Sequence, residues 1–223
     1  MCIRDRDNLL AENVDSNCIL VTGNTVIDAL LEVSNKLDSD QELNNKISSQ
    51  LPALDENKKL ILVTGHRRES FGDGFEQFFG ALKIISERDD VQLIFPVHLN
   101  PKVREPVHRV LDGCRNIELI DPLNYLPFVY LMKKSHLIIS DSGGIQEEAP
   151  SLGVPVLVTR DTTERPEAVN AGTVKLVGTE SKIIIAEANR LLDDTDEYQK
   201  MSRAINPYGD GNACERIIRD LMQ

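Results

Sequence analysis

Ser142, Gly143 and Gly144 stand where a short apolar run, residues 137–140, ends and a helical pattern begins. Glycine lets a backbone come close to a ligand, and the free N–H groups at the start of a helix attract an anion. The hydroxyl of Ser142 adds one more donor. The segment therefore predicts a phosphate cradle, although a glycine pair also forms turns that hold no ligand.

Two charged residues downstream extend this candidate site. Glu148 lies one turn into the same helical pattern, where a carboxylate can accept hydrogen bonds from ribose hydroxyls. Its alternative role is that of an acid that stabilises the dipole of a helix. Arg165 precedes Pro166, which is typical of a first helical position. It can orient a pyrophosphate or simply pair with Glu167.

A second basic segment follows the apolar run 60–64, which Gly65 closes. His66, Arg67 and Arg68 can hold phosphate, and a histidine can also move a proton near neutral pH. A solvated loop with Arg–Glu pairs is an equally good interpretation, since most such clusters lie on surfaces. In the segment 121–128 the backbone can read a base edge, while Phe128 is better explained by core packing.

Composition and missing motifs exclude several function classes. The 223 residues include 25 basic and 36 acidic side chains, and a net charge of −11 argues against a nucleic-acid surface. No GxGxxG, P-loop, zinc or calcium spacing is present, so we expect no metal and no cofactor. No apolar run reaches membrane length, and the N-terminus lacks a signal-peptide core. Four widely spaced cysteines favour a reducing, cytoplasmic location.

Strand-like and helix-like periods alternate through the middle of the chain. Continuous apolar runs bounded by turn residues indicate strands that are buried on both faces. Because each run is followed by a helical pattern, the fold class is α/β, a doubly wound parallel Rossmann-like sheet. Within the helix predicted for 101–111, Pro106 predicts a late start or a kink. The six predicted strands are 60–64, 91–97, 117–120, 137–140, 154–158 and 173–177.

Both ends fit this sheet poorly. Residues 19–22 resemble a strand, and a helix starting near Asn24 follows it, yet no earlier strand is available as a partner. Residues 35–57 are polar and predict a helix and loop that link two bodies. After the turn cluster 206–211, Asn212 is expected to cap a last helix that runs to Met222.

Five segments in a fixed order closely resemble the non-hydrolysing UDP-N-acetylglucosamine 2-epimerases of bacteria and archaea. One such segment alone is weak, whereas five in sequence are specific. The resemblance runs from about Asp7 to the C-terminus, and residues 1–6 do not look like family sequence. The segments are 21–30, Gly65-His66-Arg67-Arg68-Glu69, 121–128, 141–149 and 163–167.

The resemblance implies a glycosyltransferase-B fold, of which this chain is the C-terminal lobe. Residues 1–35 are then a remnant of the N-terminal lobe, 36–58 a linker, and 59–205 the UDP-binding lobe. Residues 206–223 form a helix that crosses back. The complete protein is expected to be a homodimer, and the missing lobe is this chain's partner.

The resemblance also implies a reaction and a set of roles. The family converts UDP-GlcNAc to UDP-ManNAc by eliminating UDP across C1–C2 and adding it back with C2 inverted. The acidic catalytic residues belong to the missing lobe, so we expect this chain to bind UDP weakly and not to epimerise alone. The implied roles are His66 at the active site, Ser142, Gly143 and Gly144 on phosphate, Glu148 on ribose, Leu123 and Phe128 beside uracil, Arg165 on the pyrophosphate, and Arg67 and Arg68 in support.

Two alternatives remain open. The first is a hydrolysing epimerase or another glycosyltransferase-B enzyme, which shares the nucleotide cradle but releases or transfers the sugar. The second is a non-catalytic module that binds a nucleotide sugar or a partner protein.

Overall fold

The computed structural model describes residues 3–65 and 73–222 of the chain. His66, Arg67 and Arg68 lie outside these ranges. No helix within the ranges is both long and apolar enough to span a membrane.

A parallel sheet of six strands forms the centre of the molecule. Its strands are β1 (Lys59–Thr64), β2 (Val91–Pro96), β3 (Ile117–Ile120), β4 (Leu137–Ser140), β5 (Val156–Val158) and β6 (Val174–Leu176). They lie in the order β3-β2-β1-β4-β5-β6, and every pair is parallel. The predicted fold class is confirmed. The order reverses between β1 and β4, and ligands bind beyond the carboxyl ends of strands at such a point.

Eleven helices surround or precede this sheet in the described ranges. They are α1 (Ile3–Ala11), α2 (Thr25–Ser39), α3 (Gln41–Ser48), α4 (Asp73–Ser86), α5 (Pro101–Leu111), α6 (Tyr125–Lys134), α7 (Gly143–Glu148), α8 (Pro166–Ala171), α9 (Ser181–Asp193), α10 (Thr195–Ser202) and α11 (Ala213–Leu221). Short 3-10 helices occupy Ser16–Cys18 and Ala149–Leu152.

The sheet is buried on both faces, which explains why its strands read as unbroken apolar runs. Successive side chains of a strand point to opposite faces. Ile61 and Val63 accordingly join the core formed with α4, α5 and α9, whereas Leu60 and Leu62 join the core formed with α2, α3 and α6. These two layers hold the strand ends of the candidate site in place.

The N-terminal segment differs from its prediction. Residues 19–22 form no strand, because no neighbouring strand in the described chain offers them a ladder of backbone hydrogen bonds. Leu20 and Val21 are 44% and 37% exposed. The helix predicted from Asn24 is confirmed and continues to Ser39. The domain boundaries proposed near residues 35 and 58 stay predictions.

Local details of three helices also differ. The start of α5 is not delayed: it begins at Pro101, capped by the side chain of Asn100, and Pro106 lies inside it. Helix α10 was not predicted, although Asp194 caps it by accepting from two backbone N–H groups. At α11, Asn212 occupies the cap position but makes no side-chain capping bond.

The carboxylate of Asp28 replaces the expected cap of α11. Its Oδ1 accepts from the N–H of Cys214 at 2.8 Å, and its Oδ2 accepts from the N–H of Ala213 at 3.2 Å. A carboxylate suits the positive end of a helix dipole better than a neutral amide does. The last helix is therefore fastened to α2, far from it in sequence.

Candidate functional site

The carboxyl ends of β1 and β4 are joined by hydroxyl groups at the point where the strand order reverses. Oγ1 of Thr64 lies 2.7 Å from Oγ of Ser140, which also accepts from the backbone N–H of Ser142 at 2.9 Å. Ser140 is completely buried. These bonds fix the position at which the chain leaves the sheet and enters α7.

Ser142, Gly143 and Gly144 form the start of α7, as the sequence predicts. Ser142 holds the cap position with extended backbone angles, and its side chain makes no capping hydrogen bond. A β-carbon placed on Gly144 would lie 3.9 Å from Oγ of Ser142 and 4.0 Å from Oε2 of Glu148. The hydroxyl, the carboxylate and the first turn of the helix thus face one small region.

Glu148 is only 8% exposed, and its ionisation reflects that burial. Burial raises the pKa of its carboxyl, a hydrogen bond from Tyr125 opposes this, and the charge of Glu147 raises the pKa further. The hydroxyl of Tyr125 donates to Oε1 at 2.8 Å. Tyr125 therefore brings the start of α6 against α7, and Oε2 is the oxygen nearer the glycines.

Arg165 stands at the cap position of α8 and is linked to α7 through Glu147. Its Nε donates to Oε1 of Glu147, and its backbone N–H donates to Oγ1 of Thr163 at 3.0 Å. The Thr163 hydroxyl in turn donates to Oε1 of the fully buried Gln146 at 2.6 Å. Two adjacent residues of α7 consequently set the position of the arginine and of the loop that carries it.

Leu123 precedes α6 and Phe128 lies in it, and both are half-buried against the core that includes α2 and α6. Core packing, the interpretation favoured for Phe128, accounts for their apolar side chains. Their proposed contact with uracil stays a prediction. The predictions for His66, Arg67 and Arg68 fall outside the described residues. Within those residues no group of three or more His, Cys, Asp or Glu side chains could hold a metal ion.

Sequence reasoning missed the residues that hold the site together. Tyr125, Gln146 and Glu147 lie inside the segments that carry the resemblance, yet no role was assigned to them. One signal was available for two of them, because Gln146 and Glu147 stand between the glycine pair and Glu148, the residues expected to bind phosphate and ribose. Asn24 was recognised only as a helix start, although its Nδ2 donates to Glu147 at 2.6 Å.

Comparison with known proteins places this geometry in a family. A family model described as UDP-N-acetylglucosamine 2-epimerase matches residues 3–222. The UDP-N-acetylglucosamine 2-epimerase of Escherichia coli (strain K12) is 60% identical over 217 residues, which are 97% of this chain and 58% of that protein.

Solved structures agree with this relationship. The crystal structure of UDP-GlcNAc 2-epimerase from Neisseria meningitidis, bound to UDP-GlcNAc, has a TM-score of 0.92 and 48% identity, covering 99% of this chain and 60% of that one. The Methanocaldococcus jannaschii enzyme in complex with UDP-GlcNAc and UDP has a TM-score of 0.80 and 31% identity, covering 99% of this chain and 59% of that one. The chain thus spans about three fifths of the relatives that it matches. These matches agree with the parallel sheet and with the five sequence segments in their fixed order, and they show that the chain belongs to the UDP-N-acetylglucosamine 2-epimerase family.

Proposed function

We propose that this chain carries the UDP-binding half of a non-hydrolysing epimerase that converts UDP-GlcNAc to UDP-ManNAc. One observation supports this most directly. The hydroxyl of Ser142 and the carboxylate of Glu148 lie near Gly144 in the first turn of α7, which follows β4 where the strand order reverses, and the guanidinium of Arg165 is bonded to the neighbouring Glu147. Such an arrangement suits a nucleoside diphosphate, since helix N–H groups and an arginine bind phosphates and a carboxylate binds ribose hydroxyls.

The proposed roles follow from that placement. Ser142, Gly143 and Gly144 receive phosphate oxygens, Glu148 accepts from the ribose, and Arg165 donates to the pyrophosphate. Leu123 and Phe128 lie beside uracil, on the side where α6 begins. His66 contacts phosphate or assists the departure of UDP, with Arg67 and Arg68 as supporting donors on the phosphate side; these three assignments rest on the resemblance alone.

The reaction itself needs more than this half. In the elimination, the C2–H bond and the bond from C1 to the UDP oxygen break, and a C1=C2 double bond forms. Re-addition of UDP to C1 and of a proton to the opposite face of C2 inverts that centre. A base must take the weakly acidic C2 proton, while donors stabilise the departing UDP. This chain offers the donors, and we assign the base to the N-terminal lobe.

The wider setting is part of the same proposal. The complete protein has a second lobe with the acidic catalytic residues, acts as a homodimer and works in the cytoplasm. The 223-residue chain by itself is expected to bind UDP but to show no turnover of UDP-GlcNAc.

Titration calorimetry of the folded chain with UDP tests the proposed function. We expect weak binding that an excess of uridine reduces, because both ligands share the nucleoside site. No heat of binding at millimolar UDP, with a folded chain shown by circular dichroism, would reject the proposal.

Product analysis of the complete two-lobe protein separates the remaining enzymatic alternative. Formation of UDP-ManNAc supports epimerisation. Release of free ManNAc identifies a hydrolysing enzyme that uses the same nucleotide cradle.

A further inference from the structure

Glu147 connects three separate parts of the chain beside the proposed diphosphate site. Its Oε2 accepts from Nδ2 of Asn24 at 2.6 Å, and its Oε1 accepts from Nε of Arg165. Its backbone carbonyl accepts from Nδ2 of Asn206 at 2.7 Å. The side chain of Glu147 is only 11% exposed, so both of its carboxylate oxygens are used in a largely dry environment.

Each partner of Glu147 is itself fixed. Oδ1 of Asn24 accepts from the N–H of Val26 and so caps α2. The backbone N–H of Asn24 donates to the carbonyl of Tyr208 at 2.8 Å. Asn206 also donates to Oγ of Ser151 at 2.6 Å. The carboxylate of Glu147 therefore has little freedom to move and can serve as a rigid anchor.

The guanidinium of Arg165 is held on one edge. Nε is occupied by Glu147, and Nη1 makes a long bond of 3.3 Å to the carbonyl of Glu164. Among the described residues no acceptor takes a hydrogen bond from Nη2. An arginine presents its donors in a planar fork, so fixing the Nε edge also fixes the direction in which Nη2 points.

We propose that Glu147 is a positioning residue, which aims the free donors of Arg165 at the diphosphate of a bound nucleotide. The proposal rests on the proposed function, since it needs a diphosphate at this place. Holding a long side chain in its bound geometry before the ligand arrives reduces the entropy lost on binding. Glu147 thereby strengthens diphosphate binding without touching the nucleotide.

A second effect of Glu147 must be separated from this one. Its charge contributes to the raised pKa of Glu148, the proposed ribose ligand. Action through Glu148 would change the binding of any ribonucleoside, whereas action through Arg165 changes only the binding of ligands that carry phosphate. Comparing UDP with uridine distinguishes the two.

The test uses the 223-residue chain with Glu147→Gln, Arg165→Ala and the double variant, and measures affinity for UDP and uridine by ligand-observed NMR. Glu147→Gln should weaken UDP binding about tenfold, the size expected for a charge-assisted hydrogen bond, and leave uridine binding within about twofold. In the Arg165→Ala background, Glu147→Gln should have no further effect on UDP. Glu164→Gln is the matched control: the carboxylate of Glu164 pairs with Arg160, and its removal should not change UDP affinity.

Other outcomes overturn the inference. An equal loss of uridine and UDP affinity would show that Glu147 acts through the ribose site or the fold. A full loss that persists in the Arg165→Ala background would show that it does not act through the arginine. If Arg165→Ala leaves UDP affinity unchanged, the role of Arg165 fails and the inference fails with it. In this experiment the proposed function fails only if the folded parent chain binds no UDP, so its failure is distinguishable from that of the inference.

A second variant keeps the test valid if Glu147→Gln folds poorly, as thermal melting would show. Asn24→Ser removes the donor that holds Glu147 but retains a good cap for α2. It should weaken UDP binding by a smaller factor, about threefold, and leave uridine unchanged. No change in UDP affinity with this variant, in a folded chain, would contradict the idea that Glu147 must be anchored.

Discussion

At the scale of single residues, burial decides what Glu148 can do. Its carboxylate lies at the first turn of α7, with one oxygen taken by Tyr125 and the other towards the glycines. Replacing it with alanine should weaken UDP binding by about 1–3 kcal/mol, because ribose hydroxyls lose a charged acceptor. Calorimetry with UDP measures the change, and 2′,3′-dideoxy-UDP is the control. A similar loss for both ligands would mean that the carboxylate does not contact the ribose.

The raised pKa of Glu148 predicts a dependence of binding on pH. Because the ionised form is the better acceptor, the preference for UDP over 2′,3′-dideoxy-UDP should increase as pH rises through that pKa. The ratio of the two affinities cancels the effect of diphosphate protonation, because both ligands carry the same diphosphate. In Glu148→Gln the ratio should not vary with pH, and a wild-type ratio that is equally flat would contradict the assignment.

The contribution of Glu148 to folding stability should change with pH in the direction opposite to that of the binding preference. At pH values between the ordinary carboxyl pKa and the raised pKa of Glu148, this group is protonated more often in the folded chain than in the unfolded chain. The contribution of this group to the free energy of unfolding therefore decreases as pH rises through that window. Denaturant titrations of the wild type and Glu148→Gln across this range isolate the contribution.

At the scale of elements, the last helix depends on a cap that lies far away in sequence. Asp28 accepts from the first two N–H groups of α11, although 185 and 186 positions separate them. Asp28→Ala should lower the free energy of unfolding by about 1 kcal/mol, typical of the loss of an N-cap. Denaturant unfolding measures the change. Asn212→Ala is the control and should cost less than about 0.5 kcal/mol, and the reverse ranking would restore Asn212 as the cap.

At the scale of the whole molecule, α2 and α3 share a core with the sheet. Ile27, Leu30 and Leu37 of α2 and Ile47 of α3 are buried with Leu62 of β1. Leu37→Ala should therefore destabilise the entire chain by about 2–5 kcal/mol while retaining a single unfolding transition. Thermal unfolding followed by circular dichroism tests this, with Leu221→Ala as the control because Leu221 is 80% exposed. A separate early transition would show that residues 25–48 unfold as their own unit.

Local patterns determined most of the fold and the identity of the family. Apolar runs and helical periods depend only on near neighbours in sequence. They predict the six strands, the parallel arrangement of the sheet and the helices between the strands. The prediction of secondary structure failed where the conformation of a segment depends on other parts of the fold. Residues 19–22 have the composition of a strand but no strand to pair with, and α10 has a cap without a strong apolar pattern.

The candidate site shows the same division. By itself the sequence predicts a site at the glycine pair, Glu148 and Arg165, because residue types suited to phosphate and ribose stand at strand ends and helix starts. Only the tertiary structure decided how they are held. Tyr125 reaches Glu148, Asn24 reaches Glu147 from 123 positions away, and Asp28 caps α11. Such bonds join groups that the folded chain brings together, and no local pattern records which distant partner a buried polar group will find.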